Sequence, residues 1–181
     1  MPVKSDASWI PGFHARFEPW WVEARPLVAQ HQYAAAFRTY PWPTFADAPW
    51  TPLAKPLAES TVALVTTGGF YRRGVDVPFD AEGLEGDPSF RAIPHATDPA
   101  TLAIAHAHYP HDVAEADVNT VFPIERLDDL AREGVIGGAA RTHYSLMGYV
   151  VRADDLAMVT APTIAALMLE ERVDVALVVP V

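Results

Sequence analysis

Residues 62–70 read V-A-L-V-T-T-G-G-F, and this stretch decides the fold. A short apolar run rich in β-branched residues, ended by two glycines, has the length and composition of a buried strand over 61–65. Four more stretches share the pattern of a polar cluster after an apolar run. They are L-E-G-D-P-S-F-R (84–91), L-A-I-A-H-A-H-Y-P-H (102–111), A-D-V-N-T-V-F-P (116–123) and T-H-Y-S-L-M-G-Y (142–149), the last following 135–140. A packed core needs the apolar runs. It does not need Thr-Thr-Gly-Gly, Gly-Asp, three histidines in six residues or Asp-x-Asn. In open α/β sheets such groups gather at the carboxyl ends of strands, where ligands bind.

Outward from this block, 101–107 reads as a second strand and 118–122 as a short third. Pro123 opens an amphipathic helix with Ile124, Leu127 and Leu130 on one face and Gly134 as its stop. Residues 135–140 are strand-like, with Gly137 and Gly138 implying close backbone approach. Asp154 or Thr160 caps a helix running to about Arg172, and 173–181 is a final strand. Strands alternating with helices predict an α/β domain over 61–181, a layered, three-layer-like and mostly parallel sheet with helices. Residues 1–60 predict a Trp- and Pro-rich arm with buried aromatics and a short helix over 26–38; the prolines around 41–56 forbid regular structure there.

Composition sets limits. Thirteen basic against 23 acidic residues give a formal charge of −10, which argues against a nucleic-acid or anionic-membrane surface. No run approaches the roughly 20 apolar residues of a membrane span, and the N-terminus carries no secretory signal, so a cytoplasmic location is expected. The absence of cysteine excludes disulfides and thiolate metal sites.

Each polar cluster has a functional and a structural reading. Thr66, Thr67, Gly68 and Gly69 can cradle a carboxylate or phosphate, or form a tight turn. Arg91 offers a bidentate clamp on a carboxylate, with Asp87 a further substrate-binding candidate, or the two form a surface ion pair. His106 and His108 share one face if the strand continues through them, so with His111 they can move protons or bind a metal, with Asp112 or Asp117 as a further ligand. Asp117 and Asn119 can orient a histidine, or serve turn chemistry. His143 is a candidate acid/base and Ser145 a candidate substrate donor, unless a helix begins there.

Taken together the block resembles protein B of the glycine/sarcosine/betaine reductase and D-proline reductase family. The likeness lies in L-V-T-T-G-G, G-D-x-S-F-R, the run ending in His, D-x-N-x-x-F-P-I-x-R-L and E-G-x-I-G ahead of H-Y-S-x-M-G, and covers about 61–181. The resemblance implies reductive cleavage. A selenocysteine or cysteine attacks a substrate carbon, and a partner subunit with a pyruvoyl group activates the amine. It places that redox residue just beyond a strand like 173–181, where this sequence stops; the 181 residues themselves cannot supply the nucleophile. A UGA codon after Val181 read as a stop is the favoured explanation, ahead of a shortened chain or a ligand-binding half-protein.

The resulting expectation is an oxidoreductase subunit. Thr66, Thr67, Gly69 and Arg91 would hold a substrate carboxylate. His106, His108 and His143 would handle protons or lower the selenol pKa, and Asp117 and Asn119 would orient them. Expected partners are a small-molecule substrate, a reductase subunit or thiol reductant, and further copies of this chain. The rivals are a non-catalytic binding or assembly subunit with the aromatic arm as its interface, and a His/Asp metal enzyme using His106, His108 and His111.

Overall fold

Strand β1 (Thr61–Thr66) is the axis of the sheet in the computed structural model, which describes residues 8–45 and 51–181. Part of the proline-rich stretch, including Trp50, and the first seven residues lie outside the described residues. With β2 (Phe70–Arg72), β3 (Phe90–Pro94), β4 (Leu102–Ile104), β5 (Gly138–Ala139), β6 (Thr142–Leu146) and β7 (Val175–Val179), the described residues build two sheets. In the larger, β7 runs parallel to β1 in register from Val62↔Val175 to Thr66↔Val179. On the other side of β1, β5 pairs with its start and β6 with its end, both parallel. β3 is antiparallel to β6. β2 and β4 form a separate antiparallel ribbon.

Three layers result. Val62, Leu64 and Ile93 on one face of the sheet pack with Phe70, Phe122 and the Ile124–Leu127 face of helix α4 (Ile124–Arg132), which follows the short helix α3 (Asp112–Ala116). On the opposite face Tyr144, Leu146 and Val65 meet Ile164, Leu167 and Met168. These come from α6 (Ala161–Glu170), which continues α5 (Ala153–Asp155) through a π turn over Leu156–Thr160. Burying both faces is what lets a parallel sheet be built from nearly continuous apolar runs. Gly137 makes the expected close approach: a Cβ there would lie 2.5 Å from the Glu59 carbonyl carbon.

The N-terminal arm departs from expectation. Helix α1 (Ile10–Ala29) is 20 residues long despite Pro19 and Pro26 inside it. Phe13, Phe17, Trp20, Ala24 and Val28 recur at helical spacing and are all buried. That apolar stripe outweighs an interior proline, which costs about 3 kcal/mol. Just past its end the chain turns at His31, at φ 58°, and α2 (Tyr33–Ala36) packs back against it. The arm's aromatics pack with Val151, Leu84 and Tyr149, and Tyr40 donates to the Val151 carbonyl at 2.8 Å.

Four further expectations change. Residues 118–120 are a 3₁₀ turn, not a strand, because Asp117 accepts from the Asn119 backbone and caps it. Strand structure ends at Ile104, so His106 and His108 do not share a strand face. Residues 142–146 are strand β6, where the sequence suggested only a site or a helix start. Neither Asp154 nor Thr160 caps its helix: Asp154 pairs with His14 at 2.5 Å and Thr160 donates to the Pro88 carbonyl.

Candidate functional site

The carboxyl ends of β1, β6 and β7 converge on the turn after Thr66. Thr67 N–H donates to the Val179 carbonyl, Gly69 N–H to Leu146, and Ala105 N–H to the Gly69 carbonyl, at 3.1, 2.8 and 2.9 Å. Gly68 N–H donates to Thr66 Oγ1, which itself donates to the Val121 carbonyl. Every backbone donor of Thr67, Gly68 and Gly69 is therefore occupied, those of Thr67 and Gly69 in tying strands together and that of Gly68 within the turn. The expected anion cradle gives way to a structural knot. Its glycines are sterically required: at Gly69, φ 71°, a Cβ would stand 2.7 Å from the Ala105 carbonyl oxygen. The one group of the turn left with a free proton is the Thr67 hydroxyl. Its oxygen accepts from Val181 N–H at 3.0 Å.

Beside it lies His106, 5% exposed. Its Nδ1 accepts from His108 N–H at 3.0 Å, so the neutral ring carries its proton on Nε2. That Nε2–H is buried and has no partner. It and Thr67 Oγ1 each lie 3.2 Å from the point where a Cβ on Gly148 would be, so the missing side chain keeps the space between them open. Burial first, then His108 and His111, depress the His106 pKa to about 4. The ring is thus a neutral donor at physiological pH. His108 and His111 also carry buried Nε2 atoms without partners. Tyr109 stands between His106 and His111, with ring centroids 4.9 and 4.7 Å away, and donates to the Gly68 carbonyl at 2.9 Å.

His143 is placed with different company. Fully buried, it accepts the Leu64 N–H on Nδ1 at 3.1 Å, at the point where the ladder passes from β5 to β6. Its Nε2–H then donates to His95 Nδ1 at 2.9 Å, and His95 Nε2–H to Asp128 Oδ1 at 3.0 Å. Burial, then His95, lowers its pKa to about 4. No motif marked His95 or Asp128, which lie in separate segments.

The other expected residues are placed elsewhere. Arg91 donates to the Val77, Pro78 and Phe90 carbonyls and to Ser89 Oγ, and lies over the Phe79 ring at 4.0 Å. It fastens the 77–90 loop, and its donors are not directed outward as a carboxylate clamp. Asp87 accepts from Ser89 and from Asp80 N–H in the same loop. Asn119 bridges Asp117 and Glu125 on the surface, and neither Asn119 nor Asp117 bonds a histidine. Ser145 Oγ is fully buried and unpaired, opposite Thr66 and Arg91 in the ladder. Among the described residues no three His, Asp or Glu side chains converge so as to hold a metal ion, so the His106/His108/His111 metal option has no geometry behind it.

The family model for glycine/sarcosine/betaine reductase selenoprotein B matches residues 27–180. This chain belongs to that family. It is 36% identical over 128 residues to the D-proline reductase subunit gamma of Acetoanaerobium sticklandii, covering 71% of this chain and 51% of that one. It is 32% identical over 117 residues to the glycine reductase complex component B subunit gamma of Symbiobacterium thermophilum (60% and 26%). The sarcosine reductase complex component B subunit beta of Peptoclostridium acidaminophilum is 32% identical over 116 residues (60% and 25%). The match thus spans between a quarter and about half of these curated relatives' length. No solved structure matches. No helix among the described residues is long and apolar enough to cross a membrane.

Proposed function

We propose that this chain is a subunit of a cytoplasmic reductase of the glycine/sarcosine/betaine/D-proline type. It would act on a small amine or amino-acid-like substrate bearing a carboxylate. One observation carries the reading. The Val181 N–H rests on Thr67 Oγ1, so whatever follows Val181 starts beside the free His106 Nε2–H. A cysteine or selenocysteine there would supply the nucleophile: a carbon–sulfur or carbon–selenium bond forms as the substrate's carbon–nitrogen bond breaks, and the nitrogen leaves as the amine. His106, neutral, stabilises the thiolate or selenolate by donating a hydrogen bond and not as a cation. The Thr67 hydroxyl is a second donor, available to the nucleophile or to the substrate carboxylate. A partner subunit, with a pyruvoyl group in the amino-acid reductases, would activate the amine, and a thiol reductant would return the nucleophile to its starting state.

The test is to read the gene past the Val181 codon and to alkylate the translated product with iodoacetate. An in-frame UGA or Cys codon within a few positions, and labelling at that residue below neutral pH, are expected. A continuation lacking both codons would rule the reading out. A second reading, a homo-oligomeric or assembly subunit, is favoured by Trp42 and Phe45, 62% and 61% exposed on the arm. Trp42→Ser with Phe45→Ser should then lower the mass in solution; an unchanged mass removes it.

A further inference from the structure

A pit of about 460 Å3 opens at the start of β6, the end of that strand away from Thr67 and His106. Two facts of packing leave it open. Ala92 of β3 lies directly opposite Tyr144 in the ladder and is too short to cover it. Helix α6, which roofs this face of the sheet, ends at Glu170. Tyr144 is 1% exposed, and its hydroxyl bonds no group among the described residues. Burial first, then Glu171 and Glu170 beside it, raise its pKa, so the phenol keeps its proton. Glu171 is only half satisfied. Its Oε1 accepts from the Thr142 hydroxyl at 2.5 Å, and its Oε2 is buried with no partner. Glu170 is exposed on the rim, and Arg141, also on the rim, forms an ion pair with neither glutamate.

A buried carboxylate oxygen without a donor carries a desolvation cost that a donor removes. Charge selects the kind of donor. Two carboxylates, the negative end of the α6 dipole and a formal chain charge of −10 all favour a cation. Geometry selects the cation. A guanidinium fork seeks both oxygens of one carboxylate, and Thr142 already occupies one of those on Glu171. A primary ammonium has three separate donors, which suit Glu171 Oε2, the Tyr144 oxygen and the Glu170 carboxylate. Leu169, 58% exposed, adjoins Glu170 on α6, so a polypeptide seated over the pit would also cover an apolar side chain. We propose that the pit receives a lysine side chain of a partner polypeptide. This chain has two lysines, and Lys55 is already bound to Asp174 at 2.8 Å, which favours a different polypeptide over a second copy.

The test is carbodiimide crosslinking of the assembly isolated from its source cells, read by peptide mass spectrometry, since this reagent joins a lysine amine to a carboxylate in contact with it. A link from Glu170 or Glu171 to a lysine of another polypeptide is expected. A link to Lys4 or Lys55 of this sequence would make the occupant a second copy and overturn the proposal, as would no link at all. A binding measurement then separates a built site from a chance contact. Acetyl-Gly-Lys-Gly-amide, followed through the Tyr144 ring resonances in NMR, should bind about tenfold more tightly than the same peptide acetylated on the lysine nitrogen. Glu171→Gln should abolish that preference; it keeps an acceptor for Thr142, so the variant folds. Equal affinity for the two peptides, or an unchanged preference in Glu171→Gln, would overturn the proposal. Neither readout involves turnover, so an inactive reductase would count against the proposed function and leave the pit standing.

Discussion

Two buried histidines of this chain have the same depressed pKa, about 4, and opposite circumstances. His143 has both nitrogens engaged, one on the Leu64 backbone and one on His95, with Asp128 closing the relay at the surface. His106 has one nitrogen engaged and the other buried with nothing to bond. The first arrangement is what a structural pin requires. The second carries a standing desolvation cost, of the kind that a bound group relieves. Burial and titration alone do not tell the two apart; hydrogen-bond satisfaction does.

The difference predicts a contrast in stability. His143→Ala empties core volume and orphans the Leu64 N–H, and should cost about 4 kcal/mol in urea unfolding. His106→Ala removes a group already lacking a partner and should cost less than half of that. Equal losses would erase the distinction. Acid sharpens it next. Both rings stay neutral in the fold but protonate near 6.5 in the unfolded chain, so stability is full above about pH 6.5 and declines toward about pH 4. His143 alone accounts for roughly 3 kcal/mol of that decline. In His106→Gln the slope across this window should be shallower, with stability at pH 7.5 nearly unchanged; an unaltered slope would mean that His106 is already protonated in the fold. The turn comes third. Gly69→Ala places a side chain at φ 71° against the Ala105 carbonyl and should cost about 2 kcal/mol, read as a lower unfolding midpoint.

Much of this was legible in the residues, for reasons specific to each element. The β1 run declares itself because a central parallel strand is apolar on both faces; β7 declares itself by its apolar length alone, since it lies at the sheet's edge with Leu177 and Val178 exposed. Helix α4 does so through Pro123, its Ile124/Leu127 face and Gly134. Strand β6 did not, because His143 and Ser145 point into the same face as Thr66 and disguise a buried strand as a polar motif. Helix α1 was hidden by Pro19 and Pro26, whose cost is met by a stripe of aromatics visible only at helical spacing. At the site, the sequence singled out His106 and Thr67, which lie beside the strand ends. It also credited the turn's backbone donors, which are bonded to other strands, and Arg91, which holds a loop. Those are long-range pairings, and no local spacing encodes them.

The smallest expected effect on stability is the most discriminating. Gly148 is exposed and lies outside the left-handed region, so alanine there meets no backbone penalty. Its Cβ would, however, come within 3.2 Å of both His106 Nε2 and Thr67 Oγ1, in the space that a nucleophile or substrate atom would need. Gly148→Ala should therefore change unfolding free energy by less than about 1 kcal/mol. It should shift the His106 ring nitrogen resonances in 15N NMR and slow alkylation of the proposed residue beyond Val181. A loss of stability comparable to His143→Ala would instead mean that the space is a packed joint. His106 would then belong with His143, as a histidine that holds the fold and does no chemistry.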